Sequence, residues 1–100
     1  MSTLHIFNKG TLFTQLLKEL LQAVSADDSV LFIEDGVVWA CYRQLPALLQ
    51  EMAATPGIFA LHADLFARAL EKSVQPGISA ISDAEFVALA VRHSRSISWF

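Results

Sequence analysis
The stretch Val30-Leu31-Phe32-Ile33-Glu34-Asp35-Gly36 decides the fold. Four apolar residues in a row leave no polar side for water, so the strand they form is covered on both faces, as in the middle of a parallel sheet. Glu34-Asp35-Gly36 ends it with turn chemistry. Upstream lies a clear amphipathic helix. Phe13, Leu16, Leu17, Leu20, Leu21 and Val24 recur at helical spacing, while Thr14, Gln15, Lys18, Glu19 and Gln22 take the wet side. Before it, Leu4-His5-Ile6-Phe7 reads as a first strand and Asn8 to Thr11 as a loop. After it, Ser25-Ala26-Asp27-Asp28 reads as an exit turn with both acids in solvent.

Downstream, Val37 to Tyr42 fits either a strand or a short helix. A helix then aligns Leu45, Leu48, Leu49 and Met52, with Pro46 tolerated in its first turn and Thr55-Pro56-Gly57 stopping it. Ile58 to Leu61 is the third strand, and Asp64 is placed to cap a short helix through Leu70. A fourth strand covers Ile78 to Ile81. Ser82-Asp83-Ala84-Glu85 is a capping box that opens a helix ending near Arg92-His93. Ile97 to Phe100 forms a last strand. Strands alternating with helical patterns predict βαβ units. The expected fold is α/β: one three-layer α/β/α domain over residues 1–100, with a five-stranded parallel sheet.

Composition narrows the function. The chain is 54% hydrophobic and 17% charged, against roughly 45–50% and about 25% in average proteins. The excess needs a sheet buried on both faces, a partner over part of the surface, or both. The net charge of −3 comes without clustered Lys and Arg, so no direct nucleic-acid contact and no membrane attachment are expected. The start, Met1 to His5, lacks a basic region leading into an apolar core, and a cytoplasmic location is expected. Cys41 is the single cysteine, which rules out an internal disulfide.

Familiar catalytic patterns are missing. There is no G-x-G-x-x-G, no P-loop and no C-x-x-C. Asn8-Lys9 stands where a receiver domain carries acids, and Ala47 where a rhodanese-type loop carries Arg. The histidines His5, His62 and His93 fall in separate elements, so no metal and no cofactor are expected. His62 with Asp64 offers two ligands at best. His5 reads as a satisfied core or edge histidine, and His93 as a partner for helix-end carbonyls. Cys41 has two readings. It carries persulfide sulfur, with Arg43 lowering its pKa, or it is a small buried hydrophobe. Val37, Val38, Trp39 and Tyr42 either pack under the next helix or face a partner. Trp99-Phe100, two large rings at a chain end, also suit a partner surface.

Several segments together resemble the TusB/DsrH family of sulfur-relay subunits, nearer its TusB branch. Leu4-His5 is similar to the family's first strand, and Asp35-Gly36-Val37 to its D-G-V. Leu61 to Leu70 resembles L-x-x-D-L-x-A-R-G-L, with Ala69 where Gly is usual. Phe86 to Ser94 followed by Trp99 resembles F-V-x-L-x-V-K-H-T/S and its near-terminal Trp. The matches run in order along the chain.

The resemblance implies a DsrEFH-like parallel sheet and assembly with TusC-like and TusD-like siblings as a heterohexamer. It implies persulfide transfer toward a TusE-like carrier and 2-thiouridine at the tRNA wobble position, or sulfur oxidation in the DsrEFH variant. Some DsrH members carry a first-helix cysteine, but Leu16 to Leu21 here has none. No family role falls on Cys41, which stays a candidate for direct sulfur carriage only. The expected part is therefore non-catalytic, with Asp35, Val37, Trp39, Trp99 and Phe100 as interface candidates.

Overall fold
The computed structural model describes residues 2–50 and 56–100. Met52 and Thr55, read above as helix face and stop, lie outside the described residues. The strands are β1 (Thr3–Phe7), β2 (Ser29–Phe32), β3 (Gly57–Leu61), β4 (Ser79–Ile81) and β5 (Arg95–Trp99). The helices are α1 (Thr14–Ala23), α2 (Leu45–Gln50), α3 (His62–Ala67) and α4 (Asp83–Arg92). All strands are parallel, in the order β4-β3-β2-β1-β5. β2 is buried throughout, but it begins at Ser29 and stops at Phe32, one residue short of the run's Ile33, which is only partly buried. No helix among the described residues is long and apolar enough to cross a membrane.

Register assigns the faces. His5 pairs with Val30 and Phe7 with Phe32, and Ile58 and Ala60 continue that row on β3. This first face packs against Leu17 and Leu20 of α1, Leu45 of α2 and Leu65 of α3. Leu4, Leu31 and Ile81 line the second face under Leu89, with Phe86 and Ala90 beside it. Crossovers between parallel strands are right-handed. The chain lays β1 to β4 in one direction, so their connecting helices share the first face. Only the return from β4 to β5 runs the other way, and it puts α4 alone on the second face. Five strands spaced about 4.8 Å apart span about 19 Å, whereas a helix is about 10–12 Å wide. One helix leaves much of the second face without cover.

Several expectations change. Val37 to Cys41 falls in a 3₁₀ helix, Glu34–Cys41, so the strand option fails. Phe13 belongs to a separate 3₁₀ turn, Thr11–Phe13, and is half exposed. Its ψ of 41° breaks the helical register and turns it off the inner stripe, with Lys9 Nζ 5.5 Å above its ring. β5 begins two residues earlier than expected, because pairing with β1 aligns Thr3 with Arg95 and Phe7 with Trp99. Phe100 lies beyond the strand. The capping box forms as read: Glu85 N–H donates to Ser82 Oγ at 3.1 Å and Ser82 N–H to Glu85 Oε1 at 2.9 Å.

The end of α3 also departs from the expected Leu70. Ala69 has φ +56°. Leu70 N–H donates to Leu65 O at 2.9 Å and Ala69 N–H to Phe66 O at 3.0 Å. This is a Schellman stop, which favours Gly at the left-handed position. An L side chain there is strained by roughly 1–2 kcal/mol. Ala69→Gly is therefore expected to raise stability by about 0.5–1 kcal/mol in urea unfolding, since part of the relief is offset by glycine's chain entropy.

Candidate functional site
At the carboxyl ends of the strands, the loop after β2 folds against the loop after β1. Ile33 N–H donates to Phe7 O at 3.0 Å and Gly36 N–H to Ile33 O at 2.8 Å. A Cβ on Gly36 would strike the Phe7 carbonyl oxygen and lie 3.0 Å from its carbon. Glycine is the one residue that permits this approach. Glu34 has φ +50°, a left-handed backbone unusual for Glu. Its N–H is held by Asp64 Oδ2 at 2.7 Å. Arg68 Nη2 donates to Asp35 Oδ1 at 2.9 Å, and its Nη1 to Asp64 O at 3.2 Å. The Glu34-Asp35-Gly36 turn and the Asp64-to-Arg68 segment, far apart in sequence, thus form one clamp. The Asp35 side chain is 76% exposed, so its ion pair contributes little stability and leaves one carboxylate oxygen for a partner.

This geometry corrects two readings. Asp64 is not the cap of α3, because Leu61 holds that position without a side-chain bond. His62 does not join Asp64 as a ligand pair; its ring stacks on Phe66, with centroids 6.2 Å apart at 26°. Among the described residues, no three His, Cys, Asp or Glu converge on a metal position. Leu12 and Phe66 are exposed around this end of the sheet, and Phe100 is 63% exposed.

A second constellation lies at the opposite end. Asp28, expected in solvent, is buried at 6% exposure. Its Oδ1 accepts Thr3 N–H at 2.9 Å, and its Oδ2 accepts Ser25 N–H and His5 Nε2, both at 3.0 Å. Trp99 Nε1–H donates to His5 Nδ1 at 3.1 Å. An indole N–H only donates, so Nδ1 is the acceptor and the imidazole proton sits on Nε2, facing Asp28. Burial acts to raise the Asp28 carboxyl, but the bonds from Ser25, His5 and Thr3 outweigh it and hold it below the usual Asp value. Next to it, His93 reaches Ser29 on β2, with Nε2 to Oγ 2.9 Å, rather than helix-end carbonyls. Burial and the charge of Arg92 lower its pKa. The Asp28–His5 pair resembles a catalytic dyad on paper. Both side chains are buried, so no substrate reaches them, and their work is to tie β1, the turn before β2, and β5.

The remaining candidates separate by burial. Val37 and Trp39 sit in the chain's own core, against the interface reading, because the 3₁₀ helix turns them inward. Trp39 Nε1–H donates to Lys9 O at 3.0 Å and its ring meets Tyr42 edge-on. Asp35, Trp99 and Phe100 keep exposed surface. Cys41 is half-buried, with Sγ 3.7 Å from Leu70 O. Burial pushes its thiol up, opposite to the lowering expected from Arg43. Gln75, which sequence reasoning passed over, ties this segment down. Its N–H donates to Ala40 O at 2.8 Å and its Nε2 to Cys41 O at 3.3 Å.

Two outcomes follow. Gly36→Ala should cost about 2 kcal/mol or more in chemical denaturation, because only backbone atoms stand where the methyl would go. Asp28→Ala strands a buried N–H and the His5 ring, at a cost of about 2–4 kcal/mol. A depressed folded pKa contributes stability that is present above the unfolded Asp value and lost as pH falls through the lower folded one. In wild type, stability should therefore drop as pH falls below about 4. In Asp28→Ala that part of the acid slope should vanish, as read from melts across pH.

Comparison with known proteins agrees with this geometry. Residues 12–96 match the family model described as DsrH like protein. The chain is 31% identical over 84 residues to Protein TusB of Erwinia tasmaniensis, covering 83% of this chain and 86% of that one. It is 29% identical over 83 residues to Protein TusB of Yersinia pestis (strain Pestoides F), with the same coverage of 83% and 86%. The ychN protein from E. coli, a crystal structure, superposes with a TM-score of 0.66 at 13% identity, over 98% of this chain and 99% of that one. That likeness shows the fold, a five-stranded parallel sheet with helices on both faces. With the family model spanning most of its length, the chain belongs to the DsrH-like family.

Proposed function
We propose that this chain is a non-catalytic subunit of a sulfur-relay complex of the TusBCD type. In this reading it assembles with TusC-like and TusD-like siblings. Together they hand persulfide sulfur to a TusE-like carrier, toward 2-thiouridine formation at the tRNA wobble position. Family membership and the TusB relatives support the relay. The observation that carries the non-catalytic part is the state of Cys41. A sulfur relay needs a thiolate, which is the nucleophilic form. Here the one thiol is half-buried against the Leu70 carbonyl, and burial favours its protonated form. Reactive cysteines sit in electropositive, accessible surroundings instead.

The exposed features suit docking. The clamp of Asp35 and Arg68 lies at the carboxyl ends of the strands, where open α/β sheets bind their ligands. Phe66, Leu12 and Phe100 add apolar side chains at this end, and Asp35 adds charge.

Co-expression with TusC-like and TusD-like proteins tests the assembly. A stable complex through affinity purification is expected, and a chain that never co-purifies overturns it. Cys41→Ser tests the division of labour. Within that complex, wobble thiolation should stay within about twofold of wild type, and no adduct of about 32 Da should appear on Cys41 under sulfur flow. Collapse of thiolation together with such an adduct in the wild type would make Cys41 a carrier.

A further inference from the structure
Helix α4 has two apolar faces. The inner one, with Phe86, Leu89 and Ala90, packs on the second face of the sheet. The outer one, Ala84, Val87, Ala88 and Val91, recurs at i, i+3, i+4 and i+7 and is exposed along its length. Val87 is 64% and Val91 79% exposed. An isolated surface helix keeps that side polar. Beside the stripe, an open groove of about 320 Å³ is lined by Phe59, Ile81, Glu85, Ala88, Leu89 and Arg92.

We propose that this outer face pairs, antiparallel and about a two-fold axis, with the same face of a second copy of the chain. The stripe is self-complementary about its middle, between Val87 and Ala88. In such a pair Ala84 comes opposite the partner's Val91 near the centre line, while Val87 and Ala88, on either side of it, each come beside their own symmetry mate. Val91 thus meets a small residue and Ala88 meets the partner's Ala88, while the two Val87 side chains touch near the axis.

The charges obey the same symmetry. Residues seven apart share a flank of a helix, so Glu85 and Arg92 lie on one side of the stripe, along the groove. A two-fold axis keeps like flanks together. Each Arg92 therefore comes beside the partner's Glu85, twice per pair. Glu85 uses Oε1 for the cap, which leaves Oε2 for this contact. Neither Glu85 nor Arg92 has an ion-pair partner among the described residues. Asp83, on the opposite flank, ends about 13 Å along the axis from its symmetry mate, too far for strong repulsion. The antiparallel arrangement also sets opposite helix dipole ends side by side.

The ten residues of α4 make a face about 15 Å long. With a helix about 10 Å wide, such a face covers far less than the ~800 Å² per partner of a standard interface. Pairing of the isolated chain is expected to be reversible, with a dissociation constant on the order of tens of micromolar. The inference does not depend on the sulfur-relay reading and is tested without siblings.

The test is sedimentation velocity of the full chain from about 5 to 500 µM, a range in which mass action moves such an equilibrium. The average mass should climb from 11.0 kDa toward twice that value. Arg92→Glu and Glu85→Arg should each hold the chain monomeric, with helix content checked by circular dichroism. Their equimolar mixture should dimerise again, since both cross-pairs then join opposite charges. Val91→Asp, which touches neither cap nor core, should also dissociate the dimer. A wild type that stays monomeric throughout overturns the proposal, as does a dimer that ignores Val91→Asp or Arg92→Glu. A folded mixture that remains monomeric overturns the two-fold arrangement.

Discussion
A parallel sheet has to be covered on both faces, and right-handed crossovers decide which face each helix covers. In this chain, β1 to β4 are laid down in one direction and α1, α2 and α3 fall on the first face. The single return to β5 leaves the second face to α4. The apolar excess of the composition follows from this asymmetry. Part of it fills the first-face core around Trp39, Phe7 and Phe32. The rest stays half-covered on the second face, at Ile6, Ile33 and Phe59, or exposed on α4 itself. A hundred-residue domain has little stability to spare for uncovered apolar surface. The companion proposed for α4 would cover the part of it exposed on that helix.

The ends of the sheet are fixed by two unlike devices. At the carboxyl ends, the close approach of Gly36 to Phe7 and the Asp64 bond to Glu34 N–H hold a strained turn. Strain of this kind persists where surrounding structure over-determines it, often at binding surfaces. At the amino ends, Asp28 gathers Thr3, Ser25 and His5, and Trp99 completes the chain of bonds through β5. The first device leaves Asp35 and Phe66 presented on a rigid base. The second seals His5 and Asp28 away from substrate and makes them purely structural.

Periodicity carried much of the fold. The apolar run of β2, the stripe of α1 from Leu16 onward and the capping box of α4 are local signals, and the elements form at or within a residue or two of their expected places. What escaped depends on contacts distant in sequence. Asp28 looks like any turn acid until β1 folds beside it. Val37 and Trp39 look like a patch until the 3₁₀ helix rotates them inward. The two motif segments that share the Asp35–Arg68 pair are 33 residues apart, and no spacing rule joins them. The φ of +56° at Ala69 marks a left-handed position where glycine is the favoured residue.

Cover over the outer face of α4 is the point on which the pairing of two copies turns. Carbene footprinting of side chains compares the dilute chain with the concentrated one and reports it directly. Val87 and Val91 should lose most of their labelling on assembly, while Lys18 and Glu19 on the wet side of α1 label equally in both. Equal labelling of the two valines in both states would contradict any companion on α4.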